Sequence, residues 1–289
     1  MSTAASWPRL KTPPMTHRIF AVRYAHLDRT SDKNFLDGDD HAHPMPLDYY
    51  VWVIKNDART IVVDTGFDSA AAANRGRTLV RSVAEGLAAI DVDPKDVRDV
   101  VITHMHYDHA GNVALFPRAR FHVQDAEMAY CTGRAMTHRH VSAFFEADNV
   151  VEMVRRVFDG RVVFHRGDSL LYPGVTLHHL PGHTLGLQAV RVETHRGPVV
   201  LASDAIHFWA NLEREIPYPV VADISQYLES LRALRGLAPS IDHIIPGHDP
   251  KVLARFPAEP KVSDIARLDL PPLAGAPLTR ETPLGRDSS

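Results

Sequence analysis

Three histidines and a carboxylate fall within six positions in His104-Met105-His106-Tyr107-Asp108-His109, directly after the apolar run at residues 97–102. Side chains of an extended segment alternate with period two, so His104 and His106 point the same way and can reach one ion. Asp108 and His109 lie just past them, where a turn can aim both at a second ion about 3.5–4 Å away. Three further potential ligands each follow a short apolar run: His183 in Leu180-Pro181-Gly182-His183-Thr184, Asp204 in Ala202-Ser203-Asp204-Ala205, and His248 in Ile245-Pro246-Gly247-His248-Asp249. Layered α/β folds place their sites at strand ends, and Pro-Gly pairs permit the tight turns needed there. Zinc accepts such a set of imidazoles and carboxylates readily. A scatter of unrelated histidines would rarely give one packed cluster and two Pro-Gly-His turns.

The rest of the composition leaves room for such a site. Among 289 residues, Lys plus Arg is 32 against 35 for Asp plus Glu, a net charge of −3, and 45% of residues are hydrophobic. These are values of a soluble globular chain, not of a disordered, collagenous or coiled-coil one. No long basic run offers a footprint for a nucleic-acid backbone, so small-molecule chemistry is expected and no nucleic-acid partner. The one cysteine, Cys131, cannot form an intramolecular disulfide, which fits a reducing cytoplasm. The N-terminal stretch lacks the apolar run of a signal peptide, and no segment reaches about 18 apolar residues, so neither export nor a membrane span is expected. Histidine stands out, with 18 copies against 16 glycines.

Strands are expected at residues 19–24, 49–54, 60–63 and 97–102, with further short ones at 161–164, 175–180 and 241–245. Residues 187–192 and 198–202 flank the turn His195-Arg196-Gly197 and suggest a hairpin. Helical spacing appears at 79–90, where Leu79, Val83, Leu87 and Ile90 share a face, at 141–158, and at 224–237. No repeat or linker divides the chain, so one hydrolase domain at 17–258 is expected, flanked by a polar extension at 1–16 and a Pro-rich tail at 259–289. Strands mixed with helices throughout indicate a layered α/β architecture.

In order and spacing, these residues resemble the metallo-β-lactamase superfamily of metallohydrolases. His-X-His-X-Asp-His at 104–109 is followed by His183, Asp204 and His248, and Asp64-Thr65-Gly66 matches the family's early strand-end motif. The resemblance implies an α/β fold of the αββα four-layer sandwich type with a dinuclear site at the sheet edge. Carried over by position, His104, His106 and His183 would hold one metal, Asp108, His109 and His248 the other, and Asp204 would bridge them. Two divalent ions are implied as cofactors, zinc first, with manganese, iron and cobalt accepting the same ligands. The segments at 106–112 and 203–205 look most like the N-acyl homoserine lactonase and pyridoxolactonase-like branch. That branch carries a tyrosine three residues after the bridging aspartate, where this chain has His207. Class B β-lactamases place a ligand cysteine after the third histidine, whereas Cys131 precedes His183.

The expected reaction is attack of a metal-bridging hydroxide on a lactone ester, with an N-acyl homoserine lactone or another small lactone as substrate. Asp108 would carry the proton to the leaving oxygen and His207 would hydrogen-bond the carbonyl. His207, Phe208, Trp209 and Tyr218 lie on a long connection, 204–223, that could wall the substrate pocket. The alternatives are another ester or phosphodiester hydrolase on the same bimetallic site, disfavoured by the lack of basic residues near the motifs, and a metal-dependent binding protein without turnover. Asp64 and Asp249 could either orient ligands or close turns, and the run at 39–44 is expected to be a loop. Oligomeric state is not fixed by sequence, and a homodimer would be a guess centred on residues 136–158.

Overall fold

A computed structural model of the chain describes residues 16–260 and 262–275. All but the last residue of the expected extension at 1–16, and residues 276–289 of the expected tail, lie outside the described residues. Seven strands come first: β1 (Arg18–Leu27), β2 (Leu47–Lys55), β3 (Thr60–Val63), β4 (Thr78–Leu79), β5 (Asp99–Val101), β6 (Arg120–Gln124) and β7 (Val162–His165). Five form a second sheet: β8 (Ser169–Tyr172), β9 (Val175–His179), β10 (Gln188–Thr194), β11 (Gly197–Ser203) and β12 (Ile244–Pro246). β13 (Ala258–Glu259) and β14 (Val262–Arg267) return to the first sheet, ordered β13-β14-β1-β2-β3-β5-β6-β7 with β4 beside β1, and the second is ordered β12-β11-β10-β9-β8.

Period-two alternation of apolar residues on both faces of these strands sets the layers. Ile19, Ala21, Trp52 and Ile61 of the first sheet pack against Val190, Val192, Val199 and Leu201 of the second. Their neighbours Phe20, Val22, Val51 and Val62 face outward onto Val83 and Leu87 of the helix Val83–Ala88 and Val150 and Met153 of the helix Ala147–Phe158. On the far side, Val200 and Ala202 meet Tyr227, Leu231 and Leu234 of the helix Ile224–Gly236. The result is the expected αββα sandwich.

β3 runs parallel to β5, and β11 parallel to β12. The segments after these strands therefore emerge at one edge, and β9, two antiparallel steps from β11, ends there too. Gln188 pins the sheets together beside that edge: its buried amide donates to the carbonyls of Ile102 and His122 and accepts from Gln124.

Four segments differ from expectation. The stripe at 79–90 is not one helix, because Leu79 pairs with Ala25 and the helix starts only after Ser82, whose hydroxyl accepts from the Glu85 N–H while Glu85 accepts from the Ser82 N–H. The stretch 141–158 breaks into Arg139–Ser142 and Ala147–Phe158, and at the break the Phe144 carbonyl accepts from the Tyr107 N–H. Residues 262–267, read from sequence as tail, form β14 beside β1, with Ile265, Ala266 and Leu268 buried. Residues 241–243 are a 3-10 turn leading into β12. Cys131 is a buried thiol whose pKa burial pushes up to about 12. Among the described residues no helix is long and apolar enough to cross a membrane.

A polar chain links the four strands β5, β6, β7 and β8. His122 Nε2 lies 3.0 Å from Asp99 Oδ1, His122 Nδ1 lies 3.1 Å from His165 Nε2, and His165 Nδ1 lies 2.8 Å from Ser169 Oγ. A carboxylate only accepts, so with both rings neutral each link donates toward Asp99. Burial, followed by the neighbouring His122, lowers the His165 pKa from its ordinary 6.5. The unfolded chain then takes up a proton that the folded ring resists, so this stability is present above about pH 6.5 and is lost as pH falls below it. The urea midpoint of His165→Gln should change less than wild type between about pH 7.5 and pH 5. An identical pH dependence would remove His165 as its source.

Candidate active site

Each ligand candidate sits where a strand gives way to a loop. After β5 the chain bends at Thr103 and runs to His106, whose φ and ψ of −64° and 153° are extended, then turns into the short helix Tyr107–Ala110. This turn sends His104 and His106 to one side and presents Asp108 and His109 from the next. The loop after β3 braces it: the Thr65 N–H and hydroxyl donate to the His109 carbonyl, and the Gly111 N–H donates to the Gly66 carbonyl. His183 follows Gly182, whose φ of 138° and close approach to the Tyr227 backbone admit no side chain, since a Cβ there would lie 2.3 Å from Tyr227 Cα. Gly247 serves by proximity alone, because a Cβ would meet Asp204 Oδ1 at 2.5 Å.

Asp204 lies at the centre, 2% exposed. Its Oδ2 is 3.3 Å from His183 Nε2, 3.8 Å from His104 Nε2 and 3.1 Å from His207 Nε2. Its Oδ1 is 3.3 Å from His109 Nε2 and 3.1 Å from His248 Nε2. Asp108 Oδ2 stands 3.7 and 3.8 Å from those same two nitrogens, and His106 Nδ1 lies 3.0 Å from His183 Nε2. Two donor groups thus converge, His104, His106, His183 and Asp204 in one, Asp108, His109 and His248 in the other, with Asp204 reaching toward both, and His207 joins Asp204 and His248 in a third, overlapping group.

Groups outside the cluster aim the imidazoles by holding their other nitrogens. His183 Nδ1 lies 2.7 Å from the Val220 carbonyl, His248 Nδ1 3.0 Å from the Asp48 carbonyl, and His109 Nδ1 2.7 Å from Asp64 Oδ2. These oxygens accept, so the Nδ1 atoms carry hydrogens and Nε2 is the ring nitrogen turned inward on each. Asp64 also accepts from the Thr103 N–H and hydroxyl, and Thr103 Oγ1 touches His104 Nδ1 at 3.1 Å. Asp64 therefore both orients ligands and fixes the loop. Asp249 only caps backbone, accepting from Trp209 and Lys251 N–H groups.

Burial above all, with neighbouring imidazoles second, holds His104 and His106 well below the ordinary imidazole pKa. Burial also lowers His207, to about 3. For His109 burial pulls the same way, but the carboxylates of Asp204, Asp108 and Asp64 outweigh it and raise the pKa, as Asp204 and Asp108 do for His248. Burial opposes ionisation of Asp204, yet His207, His248 and His109 together hold it well below the usual carboxylate range. His104 Nε2, His109 Nε2 and Asp204 Oδ1 are buried without a hydrogen-bond partner. Orphaned inward-facing donors of this chemical type fit divalent cations.

His207 stacks on Tyr218 with ring centroids 3.6 Å apart, and both line a cavity of about 240 Å³ that opens onto Asp108, Asp204 and His248. Phe208 and Trp209 do not form its wall: both are 1% exposed, and the Trp209 indole is packed between the sheets, donating to the Ile244 carbonyl. Their aromatic character serves packing, which sequence alone does not separate from recognition. Glu127, absent from the residues expected at the site, is fully buried, and its carboxylate accepts from the Met105 N–H at 2.8 Å, the Thr184 hydroxyl at 2.6 Å and the Gly186 N–H at 3.1 Å. It ties the loop of His104 and His106 to that of His183. No local motif marks it, since its partners lie 22 to 59 residues away. The basic side chains Arg29 and Arg77 also line the cavity, contrary to the expectation that none would, and His140 is exposed at its rim.

This fold with five histidines and two aspartates at one sheet edge defines a metallohydrolase-type site, and residues 45–248 match the Metallo-beta-lactamase superfamily, to which the chain belongs. The chain is 29% identical over 189 residues to an N-acyl homoserine lactonase of Bacillus sp, covering 60% of this chain and 70% of that protein. It is 27% identical over 219 residues to the N-acyl homoserine lactonase AiiA of Bacillus thuringiensis subsp. kurstaki, covering 70% and 82%. A solved quorum-quenching N-acyl homoserine lactone lactonase shares the fold with a TM-score of 0.68 at 23% identity, covering 82% of this chain and 95% of that one.

Glu127→Gln keeps the side-chain shape but turns an amide N–H toward groups that donate. Zinc affinity, read by competition with a chromogenic chelator, should fall about 10–100-fold. Unchanged affinity would show that the two loops do not need this clamp.

Proposed function

We propose that the protein is a dinuclear metal-dependent hydrolase that opens the ester bond of a small lactone, with zinc as the first candidate metal. The observation that carries this is the pair of donor groups on either side of Asp204, each facing one of its carboxylate oxygens. His104, His106 and His183 would hold one ion and Asp108, His109 and His248 the other, with Asp204 shared. Divalent ions bound there supply Lewis-acid polarisation of the ester carbonyl and lower the pKa of water enough for attack at neutral pH. The lactonase names of the curated relatives supply the substrate class.

The chain's own groups take the remaining tasks. Asp108 borders the cavity and is positioned to accept a proton at a carboxylate oxygen and return it to the departing ring alkoxide. Its main chain is held by the Tyr24 hydroxyl, which donates to the Asp108 carbonyl at 2.8 Å. His207, kept neutral by burial and stacked on Tyr218, points its one N–H at Asp204 across 3.1 Å, and would offer it to the substrate carbonyl once Asp204 is engaged by the ions. Tyr49, edge-on to His248 at 5.0 Å, and Phe144 provide apolar wall for the ring.

Acid release in weak buffer should reveal turnover of a lactone by metal-loaded protein, abolished by chelation and restored by zinc or manganese. Asp204→Asn should bind less than the two equivalents of metal that wild type takes up, as read by elemental analysis. His207→Ala should lower kcat/KM by about 10–100-fold with metal content retained. Wild-type kcat and KM in that variant would remove His207 from the reaction, and cleavage of a bis-aryl phosphodiester alone would replace the lactone reading with phosphodiester hydrolysis.

A further inference from the structure

The cavity holds more positive charge than the hydrolysis of a neutral lactone calls for. Its carboxylates, Asp108 and Asp204, are engaged by imidazoles at 3.1–3.8 Å. Arg29 and Arg77 line the same space, and among the described residues neither has a carboxylate within ion-pair distance. Their hydrogen bonds go to neutral oxygens. Arg29 Nη2 donates to the Lys33 carbonyl at 2.6 Å, and its guanidinium lies 5.4 Å from the centre of the Tyr218 ring that backs His207. Arg77 Nε donates to the Tyr107 hydroxyl at 3.1 Å, and its Nη1 to the Arg75 carbonyl at 2.6 Å.

These bonds fix each guanidinium without neutralising it. Arg29 Nε is moreover buried with no partner. Against burial, Tyr49, Tyr107 and the nearby Asp108 favour the charged form of Arg77, whereas the hydrogen bond of Arg29 goes to a neutral carbonyl, and two such cations beside a site built for metal ions favour the entry of an anion. A neutral acyl chain gains nothing from them, whereas the planar guanidinium fork matches a carboxylate in charge and geometry.

We infer that the substrate carries a carboxylate in addition to its scissile ester, and that Arg29 and Arg77 bind it. This rests on the lactonase reading. Water adds at the ester carbonyl, the acyl C–O bond breaks, and the product is a hydroxy-dicarboxylate with one proton released at neutral pH. The second carboxylate is unchanged throughout and serves recognition. Arg29, on the His207 and Tyr218 side, and Arg77, on the Tyr107 and Asp108 side, are thereby specificity-determining residues.

The test separates binding from turnover. Metal-loaded full-length protein is titrated calorimetrically with 5-oxoproline, a lactam carboxylate that mimics the ring without its labile ester, and with its uncharged carboxamide. Turnover is measured on the matching γ-lactone carboxylate and its carboxamide. The carboxylate should be favoured by about tenfold or more in both formats, and the preference should shrink with salt. Arg29→Gln and Arg77→Gln should each collapse most of the ratio while thermal melting stays near wild type, and Arg→Lys should restore part of it.

Equal binding of the charged and neutral probes, or variants that weaken both alike, would overturn the inference. If neutral and charged lactones are turned over equally, it fails while the lactonase reading stands. If no lactone is opened but the lactam carboxylate binds in an Arg-dependent way, the lactonase reading fails and the anion site stands. Arginine-dependent cleavage of a bis-aryl phosphodiester with no carboxylate preference would assign the charge to a phosphoryl group and overturn the carboxylate assignment.

Discussion

Burying an ionised carboxylate is unfavourable unless nearby groups replace the water it loses. Asp204 meets this condition with imidazole nitrogens on both of its oxygens, and that requirement organises much of the structure around it. Imidazoles so close together would repel one another if all were charged, and burial keeps His104, His106 and His207 neutral. Each ring must also be aimed. The Val220 and Asp48 carbonyls and the Asp64 carboxylate do this for His183, His248 and His109, so three distant loops are set in place by the need to occupy one nitrogen each.

Two of the four non-glycine residues with a left-handed backbone among the described residues lie at the same edge. Asp64 and Ser203, immediately after β3 and at the end of β11, adopt left-handed conformations with φ of 63° and 48°. Glycine would relieve each at a saving of about 1–2 kcal/mol. Neither position can give up its side chain: Asp64 bonds Thr103 and His109, and Ser203 Oγ lies 2.9 Å from Thr103 Oγ1. The aiming of the ligands is thus worth more to the molecule than relaxed strand ends.

The metal-type cluster was legible in the sequence because its chemistry is local in part: four candidate ligands fall in six residues, and the other candidates follow apolar runs that announce strand ends. The strands themselves were legible from alternation, and β3 matches its expected span residue for residue. Legibility failed where the decisive partner is remote. Glu127, Arg29 and Arg77 carry no signature because the backbone groups and rings they meet come from other segments. The stripe at 79–90 misled because a strand residue, Leu79, happens to continue the helical period of Val83 and Leu87. β14 was hidden among prolines, and its strand character depends on an open edge of β1 rather than on its own composition.

That pairing of β1 with β14 also has a bearing on biosynthesis. The Ile19 N–H donates to the Asp269 carboxylate, the Leu268 N–H donates to the Ile19 carbonyl, and β1, covered by β4 only at Ala25 and His26, stays bare at residues 20–22 of that edge until residues 262–267 arrive. A ribosome must therefore pass some 240 residues beyond β1, and every ligand-bearing loop, before that edge can be covered. During this interval the nascent sheet offers an unpaired strand to any neighbouring chain, and Arg18 and Arg23 along β1 are charges of the kind that discourage such pairing.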